Sequence, residues 1–182
     1  RVKMDNIILG LLLMDNRTIY QLRERIDKGI NLMYSSSMGG IQAAIKKLLN
    51  CGYIDYKEVI DNGKYKKVYS ITESGKQHFF AWINGPLEQQ RPKNPELAKV
   101  YFMGFSDKEN REKTIQQHLS FLNEQYKALT LICDEAENIQ VSEEHKDILN
   151  YQFASALYGK ALIKFNIDWF ESLLRKMRNN EI

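Results

Sequence analysis

The fold of this chain depends on one stretch of sequence, Ser37-Met-Gly-Gly-Ile-Gln-Ala-Ala-Ile-Lys-Lys-Leu-Leu-Asn-Cys-Gly-Tyr-Ile54. Its apolar residues recur at intervals of three and four, which is the period of one face of an α-helix. These residues are Ile41, Ala44, Ile45, Leu48 and Leu49. Gly52 follows them, and glycine commonly ends a helix. The stretch therefore predicts a helix from about Met38 to Cys51 with one buried and one exposed face.

Two β-rich runs follow this helix, Tyr53–Ile60 and Lys67–Ile71. The segment between them, Asp61-Asn62-Gly63-Lys64, contains an Asn-Gly pair that is typical of a hairpin turn. Thr72 then provides the N-cap of a further helix that ends at about Ile83.

Two more helices precede the stretch. The first covers about Asp5–Met14, and the second covers about Thr18–Asp27, with Thr18 as its N-cap and Gly29 just past its end. Three helices, a hairpin and a helix make up the element order of a winged helix-turn-helix. In that arrangement the third helix enters the major groove of DNA and the hairpin, or wing, reaches the adjacent backbone.

The three prolines divide the chain, because all of them fall within residues 86–95 and proline disfavours regular structure around it. We predict a winged helix-turn-helix DNA-binding domain over 1–85, a linker over 86–95, and a helical domain over 96–182. Residues 1–85 contain 13 Lys and Arg against 8 Asp and Glu, a net charge of +5. Residues 86–182 contain 13 against 15, a net charge of −2, so the basic charge lies in the first half.

The second half has the pattern of long helices. Asp107 is predicted to cap a helical segment that runs to about Asn138. This segment carries a heptad seam: Ile115, Leu119, Leu122, Tyr126, Leu129, Cys133 and Ala136. Ser142 opens a last helix to about Arg178 with two apolar stripes. One stripe consists of Leu149, Phe153, Ala156, Ile163, Ile167, Phe170, Leu174 and Met177, and the other of Tyr158, Leu162, Phe165, Trp169 and Leu173.

A helix that is apolar on two faces needs two neighbours. We expect the preceding helix to cover one stripe and a second copy of the chain to cover the other, which gives a homodimer. The predicted fold class is therefore mainly α with a small β-hairpin, in which an N-terminal winged helix-turn-helix is joined to a C-terminal helical dimerisation arm.

The residues expected to contact double-stranded DNA lie on the exposed side of the third helix, just before it, and on the wing. Glutamine can pair with an adenine edge and lysine with guanine or phosphate, whereas serine hydroxyls and wing lysines suit phosphates. The predicted set is Ser36, Ser37, Gln42, Lys46, Lys47, Lys64, Tyr65, Lys66 and Lys67.

The stretch from Ser37 to Ile54 resembles the recognition-helix signature of PadR-like transcriptional regulators. Lys67-Val-Tyr-Ser-Ile-Thr-Glu-Ser-Gly75 is similar to their wing strand and next helix, and Tyr20-Gln-Leu22 to their second helix. The second half is similar in layout to the longer, virulence-activator-like members. The chain departs from the family at Gln42, where the family usually has a tyrosine. The resemblance implies a dimeric repressor that a small molecule or another signal releases from its operator.

A small aromatic effector is one such signal, and aromatic side chains suggest where it would bind. Tyr158, Phe165, Trp169 and Phe170 can line a pocket, with interface packing as the alternative role. The aromatic residues just after the linker, Tyr101, Phe102 and Phe105, are a second candidate lining.

Other functions have less support in the sequence. The alternative is a winged-helix module that binds protein without binding DNA, which would have an apolar rather than a basic exposed face. The three histidines have no partners spaced for a metal site or a catalytic triad, so we expect no enzyme, metal or cofactor. Cys51 and Cys133 are expected to be small core residues. No apolar run approaches the ~20 residues of a membrane helix, and we expect a cytoplasmic protein.

Overall fold

The structure is a computed structural model that describes five ranges of residues: 4–30, 37–61, 63–87, 94–139 and 141–182. The chain divides into two compact units, residues 1–92 and 93–182, and each is described by itself. Each unit has its own apolar core. Within the described ranges, no helix has the length and apolar character needed to cross a membrane.

The first unit begins with helices α1 (Met4–Met14) and α2 (Ile19–Arg25). The Thr18 hydroxyl accepts a hydrogen bond from the Gln21 N–H at 3.3 Å, and the Gln21 side chain accepts one from the Thr18 N–H at 2.8 Å. This reciprocal pair confirms the predicted N-cap. The predicted end of the helix at Asp27 is wrong. The chain instead continues as a π-helical turn over Ile26–Ile30, whose first side chain, that of Ile26, is fully buried.

Helix α3 (Met38–Asn50) has the predicted buried face. Ile41, Ala44, Ile45 and Leu48 are buried against α1 and its neighbours, and Leu49 is half-buried. Gly52 follows with φ +67°, a left-handed conformation that glycine adopts without strain. The expectation that Cys51 is a core residue is wrong, because it lies at the C-cap, beyond the last turn with a buried face, and is exposed.

Strands β1 (Ile54–Asp61) and β2 (Lys64–Ile71) pair antiparallel, from Ile54 opposite Ile71 to Asp61 opposite Lys64. The second strand therefore begins three residues before the predicted Lys67. The reason is the length of the connection: a two-residue turn, with Gly63 at φ +73°, lets the strands pair right up to it.

One residue between α1 and α2, Arg17, pairs with β2 as an isolated β-bridge. The Arg17 N–H donates to the Tyr69 carbonyl at 3.1 Å, and the Tyr69 N–H donates to the Arg17 carbonyl at 2.9 Å. The segment between α1 and α2 is thus hydrogen-bonded to β2. Nothing in the local sequence pattern predicted this pairing.

Helix α4 (Glu73–Ile83) starts in direct contact with the chain that leads into β1. The Thr72 hydroxyl accepts from the Gly75 N–H at 3.1 Å, as the predicted N-cap requires, and donates to the Gly52 carbonyl at 2.7 Å. A Cβ at Gly75 would lie 2.0 Å from the Tyr53 carbonyl oxygen. Only glycine therefore allows this close approach of helix and backbone.

The second unit contains α5 (Pro95–Tyr101), a 3-10 turn over Met103–Phe105, α6 (Lys108–Glu137) and α7 (Glu143–Arg178). Pro95, which we placed in the linker, is instead the first residue of α5, a position where the missing N–H costs no hydrogen bond. Residues 88–93 of the predicted linker lie outside the described residues. The Asp107 side chain caps α6 by accepting from the Asn110 N–H at 2.8 Å, as expected.

Helices α6 and α7 pack against each other and bury five residues of the predicted seam and four of the first stripe, and the remaining residues of both sets are half-buried. The buried residues are Ile115, Leu119, Leu122, Leu129 and Cys133 on α6, and Ile167, Phe170, Leu174 and Met177 on α7. The predicted fold class, mainly α with one small hairpin, is confirmed.

We predict that Gly75→Ala destabilises the first unit by about 3 kcal/mol, because the new Cβ must displace either α4 or the Tyr53 carbonyl. Urea unfolding followed by circular dichroism measures the loss. The control is Gly39→Ala, where the nearest atom to an added Cβ is Ser37 Oγ at 3.9 Å. A Gly75→Ala protein as stable as the control would show that the close contact is not required.

Candidate nucleic-acid interface

The outward face of α3 is polar and basic. Gln42 and Lys46 lie one turn apart on it, both exposed, and have no hydrogen-bond or ion-pair partner among the described residues. Ala43 lies beside them, and in the described helix no larger apolar side chain is exposed. This face thus has a donor and acceptor in Gln42 and a cation in Lys46, both free to meet a partner.

The start of α3 carries two exposed glycines. The Ser37 hydroxyl accepts from the Gly40 N–H at 3.2 Å, so Ser37 acts as the N-cap of the helix. Among the described residues, a Cβ at Gly39 or Gly40, both of which are exposed, would meet only Ser37 Oγ. Internal packing therefore does not require these two glycines, and they leave the backbone open to a close approach. Ser36, also predicted to contact DNA, lies outside the described residues.

Lys47 is not an unpaired cation. Its ammonium forms an ion pair with the carboxylate of Asp5 on α1. The hydrogen bond to Asp5 raises the pKa of Lys47 above its usual value, and the charge of the carboxylate adds to the effect. Lys47 thus ties α3 to α1, at the edge of the exposed face.

The wing presents its predicted residues along β2. Lys66 pairs with Asp61 across the hairpin, and the Lys67 ammonium lies 4.1 Å from the centre of the Tyr56 ring. Tyr65 is 79% exposed and stands opposite Ile60, which is 67% exposed. The side chain of Lys64 lies outside what the structure describes. The wing is therefore basic but carries an exposed apolar pair near its turn.

Two features of this surface were missed by the sequence analysis. Ile60 joins Tyr65 only through the strand register, which no local pattern reveals. Arg17 is bonded to Tyr69, and its Nε is buried with no hydrogen-bond partner among the described residues. A lone arginine in a loop gave no signal, because its partner strand lies about fifty residues later in the chain.

The second stripe of α7 is largely uncovered in the single chain. Tyr158, Leu162 and Phe165 are 68%, 47% and 62% exposed, and Trp169 is 38% exposed. Leu173 is half-buried. Leu173 packs against the core shared by α6 and α7, whereas the other four residues follow one largely exposed side of the helix.

The aromatic residues after the linker are exposed as well. Tyr101 and Phe102 pack edge to face at 4.9 Å, and Phe105 is 93% exposed. Of these three, Phe102 lines a cavity within the second unit.

Comparison with known proteins supports the predicted class. No family model matches the chain. It is similar to the negative transcriptional regulator PadR of Bacillus subtilis, at 25% identity over 173 residues, which is 92% of this chain and 93% of PadR.

Two crystal structures of Bacillus subtilis PadR share its fold. One, in complex with operator DNA, has a TM-score of 0.83 at 22% identity and covers 95% of this chain and 96% of the other. One, in complex with p-coumaric acid, has a TM-score of 0.76 at 20% identity, with coverage of 96% and 98%.

The fold is that of a winged-helix protein similar to PadR-like regulators, and the resemblance found in the sequence is confirmed. One protein that it matches over nearly the whole length of both chains is PadR of Bacillus subtilis, a negative transcriptional regulator. That this chain has no enzymatic activity, metal or cofactor stays a prediction.

We predict that Asp5→Asn lowers the pKa of Lys47 toward its usual value, because the carboxylate that holds the proton is removed. A pH titration of the Lys47 side chain by NMR measures the change. The pKa of Lys47 is higher in the folded protein than in the unfolded chain. The ion pair with Asp5 therefore stabilises the folded protein at a pH below the usual lysine pKa. This stabilisation is lost as the pH rises through the raised pKa of Lys47. The control is Asp61→Asn, which breaks the pair of Lys66 instead. An unchanged titration of Lys47 in Asp5→Asn would contradict the assignment.

Proposed function

We propose that this chain is a sequence-specific regulator of transcription that binds double-stranded DNA as a homodimer in the bacterial cytoplasm, as a repressor that a small-molecule or other signal releases. The observation that carries the proposal is the outward face of α3, polar and basic where its opposite face is buried, followed directly by a lysine-bearing wing. Such a helix lies in the major groove of DNA, and the wing beside it reaches the backbone.

Base recognition is assigned to Gln42, with Lys46 beside it. The glutamine amide offers a donor and an acceptor, which match the N6 and N7 edge of adenine. Lys46 can donate to guanine or to a phosphate from the next turn. The open glycine backbone at the start of α3 lets the helix approach closely.

Phosphate binding is assigned to the wing and the start of α3. Lysines on the wing neutralise phosphates and release counterions, which gives affinity without sequence preference. Lys67 is held over Tyr56, so its ammonium has a defined position. Ser36 and Ser37 precede the helix, and Lys47, Lys64 and Tyr65 complete the proposed contact set.

Dimerisation is assigned to the second stripe of α7. A C2 dimer uses the same patch on both copies, and the exposed aromatic and aliphatic side chains from Tyr158 to Trp169 form such a continuous patch. A dimer presents two copies of α3, one for each half-site of an operator. The first unit is then the DNA-binding domain and the second the dimerisation domain.

Known structures of a relative support both DNA binding and a small-molecule signal. Bacillus subtilis PadR has been crystallised with operator DNA and with p-coumaric acid, so for this chain we propose a small aromatic effector. A winged-helix module that binds protein instead would need an apolar recognition face. In the described part of α3 that face is polar, which favours DNA.

The two kinds of DNA contact are separable by mutation. We predict that Lys66→Ala weakens binding to all sequences alike and reduces the slope of log affinity against log salt by roughly one unit. Gln42→Ala instead costs about 1–3 kcal/mol at the preferred site and relaxes the preference at one base pair, with the slope almost unchanged. Fluorescence anisotropy at several salt concentrations measures both.

The matched control is Lys146→Ala, which removes a lysine from the exposed start of α7 in the other unit. It should leave affinity and slope as they are. Equal slopes for Lys66→Ala and the control, together with normal site preference in Gln42→Ala, would rule out the docking proposed above.

We predict that Phe165→Glu converts the dimer to a monomer, because it places a charge in the proposed dimer patch without touching the core against α6. Light scattering at micromolar concentration measures the mass. The neighbouring change Lys164→Glu, on a different side of α7, should leave the dimer intact. If wild-type protein is already monomeric, or both variants stay dimeric, the patch is not the dimer interface.

A further inference from the structure

The wing ends in an apolar surface, although the contacts assigned to it above are polar. Ile60 and Tyr65 stand directly opposite each other, next to the residue pair that closes the turn. They are 67% and 79% exposed. Val59, the residue before Ile60, is exposed on the other face of the hairpin. The hairpin therefore presents apolar side chains near its turn.

One face of the hairpin changes from buried to exposed along its length. Residues that stand opposite each other, or two apart along a strand, share a face. From the end attached to the core to the turn, the pairs on this face are Ile54 with Ile71, Tyr56 with Tyr69, Glu58 with Lys67, and Ile60 with Tyr65. Ile54 and Tyr69 are buried in the core of the first unit, whereas the last two pairs are exposed. The core thus accounts for the apolar residues at one end of this face but not for Ile60 and Tyr65.

Neither Lys66 nor Lys67 covers the apolar pair. Lys67 is on the same face, but its ammonium lies 4.1 Å from the centre of the Tyr56 ring, which is farther from the turn. Lys66 is on the other face, where it pairs with Asp61. The apolar pair is consequently bordered by two cations and still open to a partner.

A partner for this surface must offer apolar surface between negative charges. The minor groove of DNA does so, because deoxyribose forms its walls and phosphates border them. The groove is about 6 Å wide, which is narrow for a two-stranded ribbon but sufficient for side chains beside a hairpin turn. An apolar side chain inserted there partly unstacks a base step, and flexible pyrimidine–purine steps allow this at the lowest cost.

From this arrangement we infer that Ile60 and Tyr65 insert into the minor groove beside each half-site and select flexible pyrimidine–purine steps there. The preference at these flanks then comes from deformation of the DNA and not from hydrogen bonds to bases. The inference deepens the proposed function and rests on it, because the wing reaches this groove only when α3 docks in the adjacent major groove. It gives Tyr65 an apolar contact beyond the one assigned above, and it adds Ile60.

The test uses full-length protein and two duplexes that share the half-sites recovered by selection from random DNA. At the flanks, one duplex has TA and CA steps, and the other has an uninterrupted run of adenines, which is stiff. Fluorescence anisotropy measures the affinity for each duplex, and energy transfer between dyes at the duplex ends measures bending. We expect the wild type to bind the flexible duplex roughly tenfold more tightly and to bend it.

Variants on the wing separate the apolar contact from the charged one. Ile60→Ser and Tyr65→Ser should each lower the flank preference several-fold and leave the slope of log affinity against log salt unchanged, because neither removes a charge. Tyr65→Phe retains the ring and should retain the preference. Lys66→Ala should instead weaken both duplexes equally.

The matched control is Tyr151→Ser, which removes a tyrosine that is 78% exposed on α7 and should bind as the wild type does. Thermal melts establish that each variant is folded. The flank preference and bending of the wild type decide the matter if the serine variants are not.

Three results would overturn the inference: equal wild-type affinity for the two duplexes, a preference for the stiff flank, or a preference that survives both serine variants. Light scattering of the same variants tests another partner. Loss of self-association with an unchanged flank preference would assign the pair to contacts between copies of the chain.

The half-site preference is measured separately, with duplexes whose half-sites are scrambled and whose flanks are the same. A normal half-site preference without a flank preference would contradict this inference alone. Absence of binding to every duplex would contradict the proposed function as well.

Discussion

Burial of one face of α3 is the constraint on which the rest of the first unit depends. Ile41, Ile45 and Leu48 have almost no exposed surface, and each such side chain gains about 1.5–3 kcal/mol from burial. Rotating the helix would expose all three together, so its orientation is determined. Gln42 and Lys46 point outward for that reason alone. The same packing brings Lys47 to Asp5, which adds an ion pair between α3 and α1.

The end of the hairpin that lies away from its turn is attached to this core. Tyr69 is buried, and its backbone is bonded to Arg17, while Gly75 lets α4 close onto the carbonyl of Tyr53. Strand pairing then extends from this anchored end to the two-residue turn. The lysines of β2 are therefore carried by a paired hairpin, and their separation from α3 is set by backbone geometry. A helix and a wing held together in one unit can contact a DNA groove and the adjacent backbone at the same time.

Local signals in the sequence were sufficient for most of the elements. The period of α3, the N-caps at Thr18, Thr72 and Asp107, and the Asn-Gly turn each act within a few residues, and all were predicted correctly. Contacts between distant residues were not predictable. The pair of Lys47 with Asp5 and the bridge of Arg17 with Tyr69 join segments about forty and fifty residues apart.

In the candidate DNA-binding surface, too, only the residues placed by a local pattern were predictable. Gln42 and Lys46 could be identified because helical periodicity assigns them to the exposed face. Ile60 could not, since only the register places it beside Tyr65. Cys51 was misplaced for a different reason: the apolar pattern ends at Leu49, two residues before the helix cap.

The central claim is that α3 reads base sequence and that two copies read together. Selection of bound duplexes from a random DNA library, followed by sequencing, tests it most directly. The account predicts an enriched inverted repeat whose half-site centres are about one helical turn, or a multiple of it, apart. Recovery of no sequence preference, or of a single unpaired site, would contradict it.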